Sequence, residues 1–255
     1  NIVAMELNFD INSGAYLSLS GIVLQRSLTT ATNVYDIPNV YVEGHAWTTN
    51  TVPTGAFRGF GSPQNCFCME THMSHIAKRL GEDPAVFKHR HFLKSDSTSL
   101  TGAKIFGDLV LDEMLERILS LSDYNTKVAL NAFQPDINEQ CLGSGKRKGI
   151  GLAVFQHGCG FAGDLEDTLV RARVRVIKLA DGTVQILASN TDIGQGLSLT
   201  FRKIVADTLN RPLDTIQLAV PDTGIVPDSG PTVASRSILI VGYLLEKAAQ
   251  KLQLN

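Results

Sequence analysis

The chain has 255 residues, 44% hydrophobic and 19% charged, a composition typical of globular proteins and a length that suits one large domain or two modest ones. A formal net charge of -2 leaves no electrostatic footprint for nucleic acid or an anionic membrane, so neither is expected as a partner. Cys66, Cys68, Cys141 and Cys159 lack zinc-site spacing, no apolar run reaches membrane-spanning length and no signal peptide is visible; a cytoplasmic protein is expected.

Asn1 leads directly into IVAMELNF, which reads as a strand already under way, and a strong helical pattern runs almost to Asn255. Both ends suggest a middle piece of a longer polypeptide. Ser13 and Gly14 mark a turn after the first strand. Residues 18–34 follow helical spacing, with Ile22, Leu24 and Leu28 apolar and Arg26 among them. On spacing alone, Arg26 is a solvated or salt-bridged side chain. Residues 35–45 alternate as a strand around Pro38, and residues 48–53 form a loop.

Residues 54–64, TGAFRGFGSPQ, are the densest chemical signal. Gly55, Gly59 and Gly61 permit positive φ and close backbone approach to a bound group. Pro63 suits the first turn of a helix, and Met69, Met73, Ile76, Ala77 and Leu80 continue with helical spacing. A glycine loop at a helix N-terminus favours anions, Arg58 adds forked donors, and Phe57 and Phe60 offer flat apolar surfaces. These residues suggest an anionic, ring-bearing ligand; a glycine turn with a surface arginine and two core phenylalanines is the alternative.

Gly81 stops that helix, and Asp83-Pro84 starts another reaching about Phe92. His72, His75, His89 and His91 lack the acidic partner of a zinc-protease pattern and read as structural or solvent-facing. Residues 108–121 form an amphipathic helix, and residues 122–148 lose periodicity as a linker ending in the basic turn GSGKRKG. That turn lacks phosphate-loop spacing.

From Gly149 the pattern changes to strands. Residues 149–155 and 170–179 read as strands, the latter turning its arginines to water, and Asp181-Gly182 is a hairpin turn into residues 184–188. The intervening loop, residues 156–167 (QHGCGFAGDLED), is long enough to suggest function. Residues 190–196 (NTDIGQG) join a strand to a helix, where Gln195 could both donate and accept beside a bound heterocycle. Residues 215–220 form a further strand. Residues 228–237 (DSGPTVASRS) lead into a last helix over residues 238–252. An α+β fold in two portions is expected, residues 1–121 and 149–255.

TGAFRGFGSPQ, TDIGQG and PTVASRS, in this order, together with YDIPNV upstream, resemble the molybdenum-binding region of the xanthine dehydrogenase and aldehyde oxidoreductase family. The resemblance covers nearly the whole chain. It implies a molybdenum–molybdopterin cofactor, as such or in dinucleotide form, lying between the two portions and hydroxylating an electron-poor carbon with water as the oxygen source. It also implies iron–sulfur and FAD modules on other chains or domains; an oligomer is expected.

By the same resemblance, Ala56, Phe57 and Arg58 approach the cofactor near the metal, and Phe60 packs against a substrate ring. Gly194, Gln195 and Gly196 match a pterin contact, and Val233, Ala234, Ser235 and Ser237 line the cofactor; Val233 and Arg236 replace smaller residues common in that loop. Arg26 corresponds to an arginine that orients purine substrates and stabilises charge on the ring. Phe161 corresponds to a second substrate-packing phenylalanine, in a loop that departs from the family in length and composition. The family's catalytic glutamate falls beyond this sequence, and nothing in the resemblance gives Asp164 or Glu166 that role. The expected activity is hydroxylation of a small heteroaromatic substrate such as a purine or nicotinate. Aldehyde oxidation or a cofactor-free structural fragment is the alternative, and the isolated chain is expected to be inactive.

Overall fold

Strand β1 (Met5–Gly14) and strand β2 (Val40–Thr48) pair in parallel, from Met5 opposite Val40 to Gly14 opposite Thr48, with a bulge between Asn12 and Gly14. Parallel pairing requires a crossover, and helix α1 (Ser20–Thr29) supplies it. The helix lies so close to β2 that a Cβ on Gly44 would sit 2.7 Å from Leu24 Cδ1. The computed structural model describes residues 1–105, 107–132, 148–161, 168 and 170–254. The chain divides into two units, Asn1–Gln156 and His157–Asn255.

In the first unit α1 stops at Thr29, short of the expected Val34. The hydroxyls of Thr29 and Thr30 donate to the Arg26 carbonyl at 3.2 and 2.8 Å, satisfying a helix-end acceptor, and the chain continues in turns. Strand β2 begins at Val40 rather than Tyr35, because Tyr35 bridges Phe92 instead. Helix α2 (Ser62–Leu80) buries Met69, Met73 and Ala77 and ends at Gly81 in the left-handed conformation. Helix α3 (Pro84–Arg90) is capped by Asp83, whose Oδ1 accepts from Ala85 N at 2.7 Å.

Helix α4 (Leu111–Leu121) occupies the expected amphipathic stretch. Helix α5 (Tyr124–Ala132) then forms within the stretch read as an aperiodic linker, with Tyr124 buried. The basic turn over residues 143–149 lies mostly outside the described residues.

Residues 149–155 do not join a sheet, against expectation, because side chains take their backbone groups. Lys88 Nζ donates to Leu152 O at 2.7 Å, Val154 N donates to Glu70 Oε2 at 2.9 Å, and Gln156 N donates to Asn33 Oδ1 at 2.8 Å. Lys88, fully buried, also donates to Glu70 Oε2 at 2.8 Å, and the Tyr35 hydroxyl donates to Glu70 Oε1. Burial, followed by the bond to Glu70, pushes the Tyr35 hydroxyl far above its usual pKa.

The second unit contains a three-stranded sheet in the order β3 (Arg175–Lys178), β4 (Val184–Leu187), β5 (Ile216–Leu218). The Asp181-Gly182 turn makes β3 and β4 antiparallel, and helix α6 (Leu197–Leu209) carries the crossover to the parallel β5. Strand β3 is shorter than the expected 170–179 stretch, and Arg173 N leaves the sheet to donate to Asp228 O at 2.9 Å. A π-helical turn (Ser237–Gly242) precedes helix α7 (Tyr243–Gln253), so the last helix is wider at its start than the sequence spacing implies. Ile186, Phe201, Val205, Ile216, Val241 and Leu245 form the core of this unit. The architecture is α+β, and among the described residues no helix is long and apolar enough to cross a membrane.

Candidate functional site

In the first unit, the candidate residues lie on a loop held by the start of α2. Phe60 N donates to Phe57 O at 2.9 Å, closing a turn. Gly59, Phe60 and Gly61 have φ values of 96°, 49° and 87°. For a bulky residue such as Phe60 this conformation is strained and must be held by its surroundings. A Cβ on Gly61 would sit 2.4 Å from Ser27 Oγ and 2.5 Å from the Val23 carbonyl, so the loop ends directly against α1. Arg26 adjoins Ser27 in the last turn of that helix and is half-buried. The fold therefore brings the helix bearing Arg26 to the loop bearing Phe60.

Phe57 is 81% exposed and joins neither core cluster among the described residues, and Arg58 is exposed beside it. Ala56 and Phe60 are half-buried. Helix α2 starts at Gly61 with no side-chain cap and no acidic residue in its first turn. Its positive end is thus flanked by Arg58 and an exposed ring, a combination suited to an anionic group on a flat heterocycle.

The start of α6 in the second unit is different. Asp192 accepts from Gly194 N at 3.0 Å, Gly196 N at 3.3 Å and Ser198 N at 3.0 Å. The Ser198 N–H, with those of the two glycines, holds the Asp192 carboxyl below its usual pKa. An internal anion therefore occupies the helix start that the sequence suggested for a ligand. Gln195 folds back on its own loop, accepting from Ile193 N at 2.6 Å and directing Nε2 to Thr191 O at 3.4 Å.

The same loop is laced to residues 228–237. Ser189 N donates to Ser229 Oγ at 3.0 Å and Ser229 N to Ser189 Oγ at 2.8 Å; Thr191 N donates to Thr232 Oγ1 at 2.9 Å. The two motifs, about forty residues apart in sequence, thus form one surface. Ala234 and Ser235 both have φ of 52°, an unusual consecutive pair, Val233 is half-buried and Ser237 is buried. Arg236 is fully buried, and its Nη1 donates to Ser229 O at 2.8 Å and Pro231 O at 3.1 Å. Its bulk therefore fills its own loop. Gly160 N donates to Ala234 O at 2.7 Å, which sets the loop of half-buried Phe161 against the same surface.

Sequence reasoning missed Asp192, Asn190, Ser189, Ser229 and Thr232. The Asp-x-Gly spacing of Asp192 and Gly194 was a readable signal for a carboxylate folding onto its own backbone. The Ser189–Ser229 exchange had no local signal. His89 pairs with Asp112 at 2.9 Å and His91 Nδ1 lies 2.8 Å from Phe87 O. Asp164 and Glu166 lie outside the described residues.

Asn190 Oδ1 is buried without a hydrogen-bond partner, so the laced loops retain one unmet acceptor that a heterocycle N–H would satisfy. A ring bearing an N–H suits this acceptor better than a bare phosphate, which offers acceptors alone. Residues 1–92 and 118–254 each match the molybdopterin cofactor-binding domain. The chain belongs to that family, within the molybdenum-cofactor-binding region of the xanthine dehydrogenases and aldehyde oxidoreductases.

It is 29% identical to a xanthine dehydrogenase of Oryza sativa subsp. japonica, covering 98% of this chain and 18% of that protein. It is 28% identical to a nicotinate hydroxylase of Emericella nidulans, covering 94% of this chain and 17% of that protein. The aldehyde oxidoreductase structure from Desulfovibrio desulfuricans aligns with a TM-score of 0.78 at 26% identity, over 98% of this chain and 26% of that chain. The chain therefore spans less than a third of the length of these proteins. The three motifs fall inside the molybdopterin-binding matches.

Proposed function

We propose that this chain forms part of the molybdenum-cofactor-binding portion of a hydroxylase acting on an N-heterocycle such as a purine or nicotinate. The observation that carries this reading is the pairing in the first unit. Gly61 seats the loop of strained Phe60 against the helix of Arg26, so a ring-stacking group and a guanidinium are supplied from adjoining elements. A flat, nitrogen-rich substrate uses both groups, whereas a simple aldehyde needs neither.

Ala56, Phe57 and Arg58 would approach the cofactor. Gly194, Gln195 and Gly196, with Val233, Ala234, Ser235 and Ser237, would hold the pterin. Bound molybdopterin would supply the redox centre and activate water for attack on the substrate carbon. Arg26 would orient the heterocycle and stabilise negative charge developing on its ring, a preorganised electrostatic role. Phe60 would fix the ring plane, and Phe161 would bound its second face. Gln195 would first have to release Ile193 N. Iron–sulfur and FAD modules on partner chains or domains would carry electrons away, and the isolated chain would be inactive. The 26% identity with the D. desulfuricans aldehyde oxidoreductase supports aldehyde oxidation as the second reading.

The first test measures molybdenum and pterin in this chain alone and co-expressed with its flanking coding sequence. Stoichiometric cofactor in the co-expressed sample supports the reading; absence from both samples overturns it. In the loaded complex, Phe60→Ala should reduce heterocycle turnover far more than aldehyde turnover. Equal loss would favour the aldehyde reading.

A further inference from the structure

One face of the β1–β2 sheet has no part in the cofactor reading. Helix α1 packs on the other face at Gly44, and strict alternation along both strands turns Glu6, Asp10, Tyr41, Glu43, His45 and Trp47 to solvent. Trp47 and Tyr41 are 54% and 57% exposed. Each ring is tied down by its polar tip. Trp47 Nε1 donates to Asp10 Oδ1 at 2.6 Å, and the Tyr41 hydroxyl donates to Glu43 Oε2 at 2.9 Å. His45 stacks on Trp47 with ring centroids 5.3 Å apart and sets Nε2 3.5 Å from Glu43 Oε1.

Neither strand contains lysine or arginine, and His45 is the ion-pair partner that the structure shows for both Asp10 and Glu43. The face thus joins three carboxylates to two pinned aromatic rings. A pinned ring loses little side-chain entropy on binding, and Trp and Tyr are the residues most enriched among binding anchors. A ring face beside a carboxylate is electrostatically matched to a planar cation: the guanidinium stacks on the indole while its N–H groups reach the acid.

We propose that this outer face docks an arginine-bearing segment of a partner protein, with Trp47 and Tyr41 as stacking anchors and Asp10 and Glu43 as the paired acids. The charge complementarity selects a basic partner over an apolar one. A second copy of this chain and a neutral apolar segment are outcomes that the test separates.

Trp47 is the sole tryptophan, so its emission reports on this face directly. The experiment titrates the full chain with a short end-blocked polyarginine peptide, with polyglutamate as control. A saturable change in Trp47 emission is expected, weakening about tenfold as NaCl rises from about 0.05 to about 0.5 M. The Asp10→Asn, Glu43→Gln double variant should bind at least about fivefold more weakly while keeping the parent's circular dichroism and melting temperature. Trp47→Leu, followed by anisotropy of labelled peptide, provides an independent variant should the double variant fold poorly, and it too should bind at least about fivefold more weakly.

The proposal is overturned by the absence of a saturable change, by undiminished affinity in a folded variant, or by an equal response to polyglutamate. It is also overturned by an emission shift that follows protein concentration without peptide, which would assign the face to a second copy.

Discussion

The starts of α2 and α6 are built from the same parts and reach opposite electrostatic outcomes. Each helix follows a Gly-x-Gly turn with both glycines at positive φ, and neither has an acidic residue in its first turn. At α6 the preceding loop supplies Asp192, which accepts three backbone N–H groups. At α2 the position equivalent to Asp192 is Phe57, followed by Arg58, and Gly61 provides no side-chain cap. The motif therefore sets backbone geometry, while the charge beside it decides whether the helix start is already neutralised or available to an anion.

The middle of α2 carries a buried polar cluster. Glu70 receives Tyr35, Lys88 and Val154 N, and Lys88 has no exposed surface. Breaking this pair should have the largest effect. Lys88→Met leaves a buried carboxylate without its cation and should cost about 3–5 kcal/mol in urea denaturation. A cost under about 1 kcal/mol would show that Glu70 does not need its cation to hold the middle of α2.

Gly61→Ala comes next. The new Cβ meets the Val23 carbonyl at 2.5 Å, and φ of 87° strains any side chain. The change should destabilise by about 1–3 kcal/mol and separate the Phe60 loop from α1. By contrast, a Cβ on Gly196 meets nothing within 4 Å, so Gly196→Ala faces only the strain of its φ of 77°. A thermal-melt comparison ranks the two directly, and an equal loss would break the distinction between a packed start and an open one.

In the second unit the lacing depends on Ser229, which is fully buried and donates to Arg173 O at 2.8 Å. Ser229→Ala leaves Arg173 O and Ser189 N without that partner and should cost about 1–3 kcal/mol. Because the lacing joins the Gln195 loop to the Ala234 loop, the same variant should lose pterin in the co-expressed complex. Retained pterin with lowered stability would separate the scaffold role from the cofactor role.

What could be read in advance follows a physical divide. Helices α2 and α3 carry their start and stop signals locally, in Pro63, Gly81 and Asp83-Pro84, and the structure keeps them. The β3–β4 hairpin is equally local, fixed by Asp181-Gly182. Residues 149–155 read as a strand because apolar extended chain looks the same whether sheet or side chains satisfy it. Only tertiary placement of Glu70, Lys88 and Asn33 decides the outcome. Spacing alone reads Arg26 as an unremarkable helix residue; the close packing at Gly61, where an added Cβ would sit 2.5 Å from the Val23 carbonyl, ties its helix to the Phe60 loop. Linking Ser189 to Ser229 needs a contact across forty positions of sequence, which no local pattern encodes.

The smallest effect probes the comparison most directly, through acid. Asp192 has its pKa depressed in the folded chain, chiefly by the Ser198 N–H. A depressed carboxyl contributes stability above its unfolded pKa of about 3.9 and loses it as pH falls through the folded value. The N–H groups of Gly194, Gly196 and Ser198 should therefore keep constant protection, corrected for intrinsic exchange, from neutral pH down to that unfolded value and lose it only as pH falls further. Asp192→Asn should abolish that transition while leaving global unfolding almost unchanged, because the carboxylate is solvent-exposed. A neutralised Asp192 also removes the internal anion from the α6 start, so in the variant phosphate should protect these three amides at neutral pH. Phosphate protection already present in the parent would mean that Asp192 does not fill the site, and the contrast with α2 would fail.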